Sequence, residues 1–476
     1  MNESFLIGER FPRVTFGTSG VRALVADLNT EAVFAYVYAF MQQMRVVHAV
    51  RDGAVVAVGM DLRPSSPSIA TTVCGALQVL GYRAEFFGAL PTPALALRCL
   101  TFGMPGVMVT GSHIPFDRNG IKFYSPAGEI LKADEQAIVS CSIPSHTLGK
   151  LPALPLLPPV DVTATEAYVR RYVDHFGVQC LAGLRVGLYE HSAVGRDVTK
   201  SVLVQLGAEV VSLGRSDDFV PVDTEAVGET DLAQARNWCK AHRLDAVVST
   251  DGDGDRPLVF DENGEFVRGD LLGLMCARDL GIQTLAVPVS CNTAIEQCGA
   301  FRQVLRTRIG SPFVIAVMND LTSKSPEPVA GYEANGGFLL GAAVSGLAAL
   351  PTRDALLPML SLLARSAREQ RSIFALMGAL PGRYTYSDRI KNFPTEQSRD
   401  FLQRLVMDPG LQASVAGKIT TPSEVDTTDG VRLTFPDGDI VHLRASGNAP
   451  ELRCYAEATH LDAAKSLCMG ALSRVL

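Results

Sequence analysis

In the segment Val109-Thr110-Gly111-Ser112-His113-Ile114-Pro115-Phe116-Asp117-Arg118-Asn119-Gly120-Ile121, with Lys122 directly after, a hydroxyl, an imidazole and an ammonium group share one short loop. The apolar run Gly106-Val107-Met108-Val109 before it reads as a buried strand, and glycine, proline and asparagine punctuate the residues beyond Thr110. A serine delivered there beside a histidine and a lysine has the neighbours that make a hydroxyl a nucleophile. A second segment, Ser249-Thr250-Asp251-Gly252-Asp253-Gly254-Asp255-Arg256-Pro257, sets three carboxylates at alternate positions with glycine between them. A tight backbone can turn these hard oxygen donors, Asp251, Asp253 and Asp255, onto one cation such as Mg²⁺. An EF-hand register would add Glu262 at its twelfth position, but Arg256 stands where the sharp-turn glycine belongs and the flanks read as strands. The phosphatase motif D-x-D-x-T would need threonine in place of Asp255.

The first segment resembles the active-site signature of the phosphohexomutases, T-A-S-H-N-P-x-x-x-N-G-x-K, with Ser112, His113, Pro115, Asn119, Gly120 and Lys122 in register; Gly111 replaces alanine and Ile114 asparagine. Further segments carry the same resemblance. The acidic loop matches D-G-D-[AG]-D-R, and Phe16-Gly17-Thr18-Ser19-Gly20-Val21-Arg22 matches F-G-T-S-G-x-R. Gly331-Tyr332-Glu333-Ala334-Asn335-Gly336-Gly337 is similar in part to the sugar loop G-E-x-S-G-H, with Asn335 for serine and Gly337 for histidine. Upstream, Ser311 stands where some members have histidine. Arg444-Ala445-Ser446-Gly447-Asn448-Ala449-Pro450-Glu451-Leu452-Arg453 resembles R-x-S-G-T-E-P-x-x-R, with Asn448 and Ala449 for threonine and glutamate.

This resemblance implies a division of roles. Ser112, as a phosphoserine, would carry the phosphoryl group and supply a fourth metal ligand beside Asp251, Asp253 and Asp255. Arg22 would contact the transferred group, Arg256 would sit beside the same phosphate, and Thr18 and Ser19 would line the site. Glu333 and Asn335 would meet sugar hydroxyls, while Arg444, Ser446, Gly447, Asn448 and Arg453 would hold the substrate's other phosphate. Arg63 is a secondary candidate for phosphate contact or a surface ion-pair residue. Arginine stays protonated, so proton transfer falls to Lys122, if desolvation or neighbouring cations lower its pKa, or to His113. One Mg²⁺ per chain and a hexose 1,6-bisphosphate activator are implied. Mannose 6-phosphate and mannose 1-phosphate are the substrates of the members it resembles most, with glucose or glucosamine phosphates as alternatives; a phosphosugar-binding or phosphatase-like protein without mutase turnover is the other class.

The elements that must position these loops alternate between short apolar strands and helical patterns. Val55 to Gly59, Ala84 to Phe87, Leu184 to Tyr189, Asp245 to Val248 and Thr284 to Val289 read as strands, and Ser68 to Leu80 as a helix. From Pro381 onward strands dominate, ending in a helix from Leu461. The expectation is an α/β protein: three consecutive α/β domains with mixed sheets, then a smaller α+β domain, around a central cleft. The expected divisions are 1–152, 160–262, 263–374 and 375–476, with a proline-rich linker from Leu151 to Pro159. A chain of 476 residues suits several cores, and 47% hydrophobic with 20% charged residues is the profile of a compact globular protein. A net charge of −7 without a basic run argues against nucleic acid. No segment reads as a bilayer span or signal peptide, and the ten scattered cysteines read as reduced thiols, so a cytoplasmic enzyme, monomer or homodimer, acting on a small phosphosugar is expected.

Overall fold

The computed structural model describes residues 4–17, 19–150, 157–225, 227–446 and 450–475. Thr18, Gly447, Asn448 and the 151–156 part of the expected linker lie outside the described residues. The expected strands form with small shifts of boundary: Val55–Met60, Arg83–Ala89, Arg185–Tyr189, Ala246–Thr250 and Thr284–Pro288, while the expected helix runs Ser66–Val79. Strands at Thr15–Phe16 and Val21–Leu24 and the long helix Thr30–His48 add to them. That helix starts at Asn29, whose side chain accepts a hydrogen bond from the Ala32 N–H.

Three sheets repeat one order. In the first, Arg83–Ala89, Val55–Met60 and Gly106–Val109 lie parallel, and Arg118–Ser125 is added antiparallel. In the second the same places are taken by Glu209–Leu213, Arg185–Tyr189, Ala246–Thr250 and Pro257–Phe260, and in the third by Gln303–Thr307, Thr284–Pro288, Val329–Tyr332 and Phe338–Leu340. The strand that turns antiparallel always comes directly after the third parallel strand. Its connecting loop therefore leaves from the carboxyl end of the sheet, where backbone groups are free for ligands. The Ser112 loop, the acidic loop and the Glu333 loop are these three connections. The apolar stretch after Gly336 becomes the hairpin Phe338–Leu340 and Leu350–Asp354 at the third sheet's edge. The fourth sheet, Tyr384–Lys391, Glu451–Ala458, Ile440–Ala445, Val431–Thr434 and Glu424–Asp426, is antiparallel throughout, and Leu461–Val475 packs on it.

One apolar cluster runs through the first three units, from Ala57, Phe87 and Leu95 through Tyr168 and Val186 to Leu285 and Leu363. Tyr168 and Tyr172, on the helix Thr163–Phe176, both donate hydroxyls to Asp354 at the third sheet's edge. Leu376 and Leu380 still belong to that apolar cluster, but the fourth sheet and its helices have their own, Phe401 to Leu472, and meet the rest through polar contacts. Asn292 Nδ2 donates to Arg383 O and Thr385 Oγ1, both at 3.0 Å, and the Thr293 N–H donates to Glu457. All ten cysteines are unbridged, and no helix among the described residues is long and apolar enough to cross a membrane.

Candidate active site

Ser112 sits in the left-handed region, φ 52°, at the tip of its loop and almost fully buried. One guanidinium holds the loop in that shape. Arg63 Nη1 donates to Pro115 O at 2.8 Å and Arg118 O at 2.9 Å, and Nη2 donates to Ser112 O at 2.8 Å and to Ile114 O. Asp61 backs this clasp, accepting from Thr110 Oγ1 at 2.8 Å and the Gly111 N–H at 3.2 Å. A Cβ at Gly111 would stand 2.6 Å from Arg63 Cζ and Nε, which explains glycine where relatives carry alanine. Arg63 is thus not a surface residue; it is buried, with Asp61 Oδ2 3.4 Å from its Nε and its two terminal nitrogens taken up by backbone carbonyls.

Across the seam between the first two units, Ser112 Oγ donates to Asp251 Oδ2 at 2.6 Å, and His113 Nδ1 lies 3.3 Å from the same hydroxyl. Lys122 Nζ donates to Asp253 Oδ2 and Asp255 Oδ2, both at 2.7 Å. Thr92, at the N-terminus of the helix Thr92–Phe102, donates its hydroxyl to Asp253 Oδ2 at 2.6 Å and its N–H to Asp253 O at 2.9 Å. Burial pushes all three aspartates up, but Lys122 more than offsets it at Asp253 and Arg353 leads the groups that offset it at Asp255, so both carboxyls lie below their ordinary range. Asp251, buried and beside two other carboxylates, is held well above it. The triad's three ligand atoms lie within 4.8 Å of one another, and Asp253 Oδ1 and Asp255 Oδ1 are buried without a hydrogen-bond partner. Carboxylate oxygens alone, clustered and with two of them lacking a hydrogen-bond donor, fit a hard divalent cation.

The two candidates for proton transfer part ways here. Burial lowers the Lys122 ammonium, but Asp253 and Asp255 together outweigh it and hold it above its ordinary value, contrary to the lowering that a basic role required. His113 is held well below its usual value by Arg256, then by burial and Arg22, which keeps the ring neutral. Arg22 itself is lowered to about 10, by burial first and then by Arg256 and Arg353, so it stays a cation at neutral pH. It makes no ion pair within 4 Å with any described residue, unlike Lys122 and Arg353. Arg256 lies 3.6 Å from Asp255 Oδ1.

Around this centre the third loop is strand-to-strand. Glu333 is buried and accepts from Arg353 Nη1 at 3.1 Å. Asn335 donates to Glu225 Oε1 at 3.0 Å and accepts from the Gly337 N–H at 3.0 Å. Ser19 donates to Glu129, a carboxylate that Ser311 also reaches at 3.2 Å. In the fourth unit Arg444 Nε pairs with Asp429 Oδ2 at 2.9 Å, and that carboxylate also accepts from the Ile309 N–H of the third unit at 2.9 Å. The Ser446 N–H bonds to Glu451 O at 2.9 Å, and Arg453 lies 3.3 Å from the Glu451 side chain.

Four models of one family match the chain in order. They are described as phosphoglucomutase/phosphomannomutase alpha/beta/alpha domain I, over residues 13–143, domain II over 166–264, domain III over 268–384, and the C-terminal domain over 392–472. The chain belongs to the phosphoglucomutase/phosphomannomutase family. A phosphomannomutase of Salmonella muenchen is 45% identical over 468 residues, which is 97% of this chain and 95% of that one. A phosphomannomutase of Sinorhizobium fredii is 43% identical over 460 residues, 95% and 96% of the two chains. The solved structure of a phosphoglucomutase/phosphomannomutase family protein from Burkholderia thailandensis shares the fold, with a TM-score of 0.73 at 20% identity over 96% of this chain and 97% of that one. Within this family member, sequence reasoning missed Arg353, Thr92, Glu129 and Glu225. Glu129 follows the Pro126-Ala127-Gly128 turn and the other three sit in no glycine-punctuated motif, and the partners of all four lie far away in the chain.

Proposed function

We propose that the protein is a phosphomannomutase, an isomerase that interconverts mannose 6-phosphate and mannose 1-phosphate through a phosphorylated Ser112 and a hexose 1,6-bisphosphate intermediate. The observation that supports this is the 2.6 Å hydrogen bond from Ser112 Oγ to Asp251, one of three clustered aspartates that could hold a cation. Asp251, Asp253 and Asp255, with an oxygen on Ser112, would hold Mg²⁺. When bound, the ion would neutralise charge on the phosphoryl oxygens.

The phosphoryl group passes from Ser112 Oγ to a sugar hydroxyl: the bond to the serine oxygen breaks, a bond to the sugar oxygen forms, and the hydroxyl gives up its proton. His113, beside Ser112 Oγ, is positioned to take or return that proton. Arg22, a cation without an ion-pair partner among the described residues, steadies the group in transit. Glu333 and Asn335 orient the sugar, with Ser19 and Arg256 lining the site. Thr18 shares that lining role with Ser19, and Arg444, Ser446 and Arg453, with Gly447 and Asn448 from the same loop, hold the distal phosphate and set the reach. The intermediate then turns end for end and returns its other phosphoryl group to Ser112. The units 1–152, 160–262, 263–374 and 375–476 supply, in that reading, the serine, metal, sugar and phosphate loops.

A ³¹P NMR time course with Mg²⁺ and a trace of hexose 1,6-bisphosphate, comparing mannose, glucose and glucosamine 1-phosphates, tests this. Conversion of mannose 1-phosphate to its 6-phosphate at the highest rate is expected. Faster conversion of another sugar reassigns the substrate, and release of inorganic phosphate alone overturns the mutase.

A further inference from the structure

Arg353 belongs to none of the motifs, yet its guanidinium joins two of the loops. The side chain is 3% exposed. Nε and Nη2 each lie 3.0 Å from Asp255 Oδ2, while Nη1 reaches Glu333 Oε2 at 3.1 Å and Ser311 Oγ at 3.4 Å. Its strand, Leu350–Asp354, is anchored on the other face by the two tyrosine hydroxyls on Asp354, so alternation along the strand directs residue 353 into the site. The arginine stem also fills a definite space. A Cβ at Gly337 would stand 2.7 Å from Arg353 Cγ, 2.8 Å from Cδ and 2.9 Å from Cβ. The glycine that stands where relatives carry histidine thus leaves no hole, because Arg353 lies across it.

We infer that Arg353 is a positioning residue of this centre, tying the metal-loop carboxylate Asp255 to the sugar-loop carboxylate Glu333 through one planar fork. This rests on the functional reading above and adds to it the group that couples its metal and sugar sites. Asp255 and Glu333 would repel each other without a cation between them. The fork engages Asp255 through Oδ2, shared with Lys122, and leaves Oδ1 without a hydrogen-bond partner, 3.6 Å from Arg256, so Arg353 helps decide which oxygen is open to a cation. Nη1, on the same rigid plane, fixes Glu333 Oε2. Lysine keeps the charge but has a single ammonium and no fork, so it cannot reproduce both contacts in one geometry.

The test compares wild type, Arg353→Gln and Arg353→Lys by two readouts: Mn²⁺ affinity of the sugar-free protein by electron paramagnetic resonance, and kcat and KM for mannose 1-phosphate. For Arg353→Gln, a shift of about fivefold or more in Mn²⁺ affinity and a rise of about tenfold in KM are expected, and Arg353→Lys should restore at most one of the two. The inference is overturned if the glutamine variant stays within about twofold on both readouts, or if lysine restores both. Should Arg353→Gln fail to fold, Gly337→Ala displaces the arginine stem while removing no charge; it should move both readouts, and wild-type values for both would overturn the inference. A cycle with Glu333→Gln adds a check that a merely structural role would not pass, since the KM effects of the two substitutions must be non-additive. The Mn²⁺ measurement needs no sugar. An Arg353-dependent affinity in a protein that converts no hexose phosphate would therefore retire the functional reading alone.

Discussion

The first three units and the fourth are held to their neighbours by different forces. A single apolar cluster extends through the first three, so separating them would expose shared core at about 25 cal/mol for each Å² uncovered. The fourth sheet keeps its core to itself and is joined by hydrogen bonds such as those from Asn292, each worth about 1 kcal/mol net, and from Thr293 to a carboxylate, worth about 2 kcal/mol. The division matches the chemistry proposed for each part. Ser112 must stay facing the aspartates of the next unit, and Lys122 must keep its 2.7 Å contacts with two of them, which a fused core protects. The Arg444 loop has to receive whichever end of the sugar is distal, and a polar seam lets its unit adjust.

Substitutions at the fused centre should act on turnover and leave the fold alone. Ser112→Ala is expected to lower kcat by about 10³-fold or more, with unchanged melting, because alanine brings the same Cβ to the left-handed position that serine already occupies. Activity near wild type in that variant would end the carrier role. Asp253→Asn should cost about 10²-fold or more in kcat and weaken Mn²⁺ binding, since it removes the charge that faces Lys122 and Thr92. An unchanged metal titration would remove the acidic loop from the centre.

At the other side of the comparison, Arg444→Ala should raise KM about tenfold with a smaller change in kcat, measured by steady-state kinetics on mannose 1-phosphate. A collapse of kcat at constant KM would instead place Arg444 in the transfer step. The smallest effect concerns stability. His442, buried in the fourth unit, is lowered by burial to about 4, as is His191 beneath the acidic loop. A buried neutral ring binds its proton only below the unfolded value of about 6.5, so each contributes stability that is complete above that pH and is lost as pH falls towards 4. Between pH 6.5 and 5 the loss is about 2 kcal/mol for each. Calorimetry of His442→Gln should therefore flatten the pH dependence of the fourth unit's unfolding and leave that of the fused body in place; an equal change in both would mean that the seam transmits stability after all.

Much of this was legible in the sequence because function lies on loops that glycine, proline and asparagine mark. The Ser112, Asp251 and Glu333 loops, their flanking strands and the change to α+β after Pro381 could all be read from local pattern. The forces that bring the loops together could not. Lys122 meets Asp253 across 131 residues of chain, and Arg353 meets Asp255 across 98. Such pairs leave no periodicity in the sequence. The same limit hides the carboxylates of another unit that hold the Lys122 ammonium up, and the carbonyl oxygens that Arg63 clasps, which no sequence motif displays.

The Arg63 clasp has a bearing on how one loop can serve a whole reaction cycle. A serine that is esterified in one half of the cycle and free in the other alternates between offering a proton and offering none, so a loop that relied on that hydroxyl for its shape would refold at every turnover. Here the bonds that hold the loop run from a guanidinium to the carbonyls of Ser112, Ile114, Pro115 and Arg118, groups that esterification leaves untouched. The cradle is indifferent to its cargo.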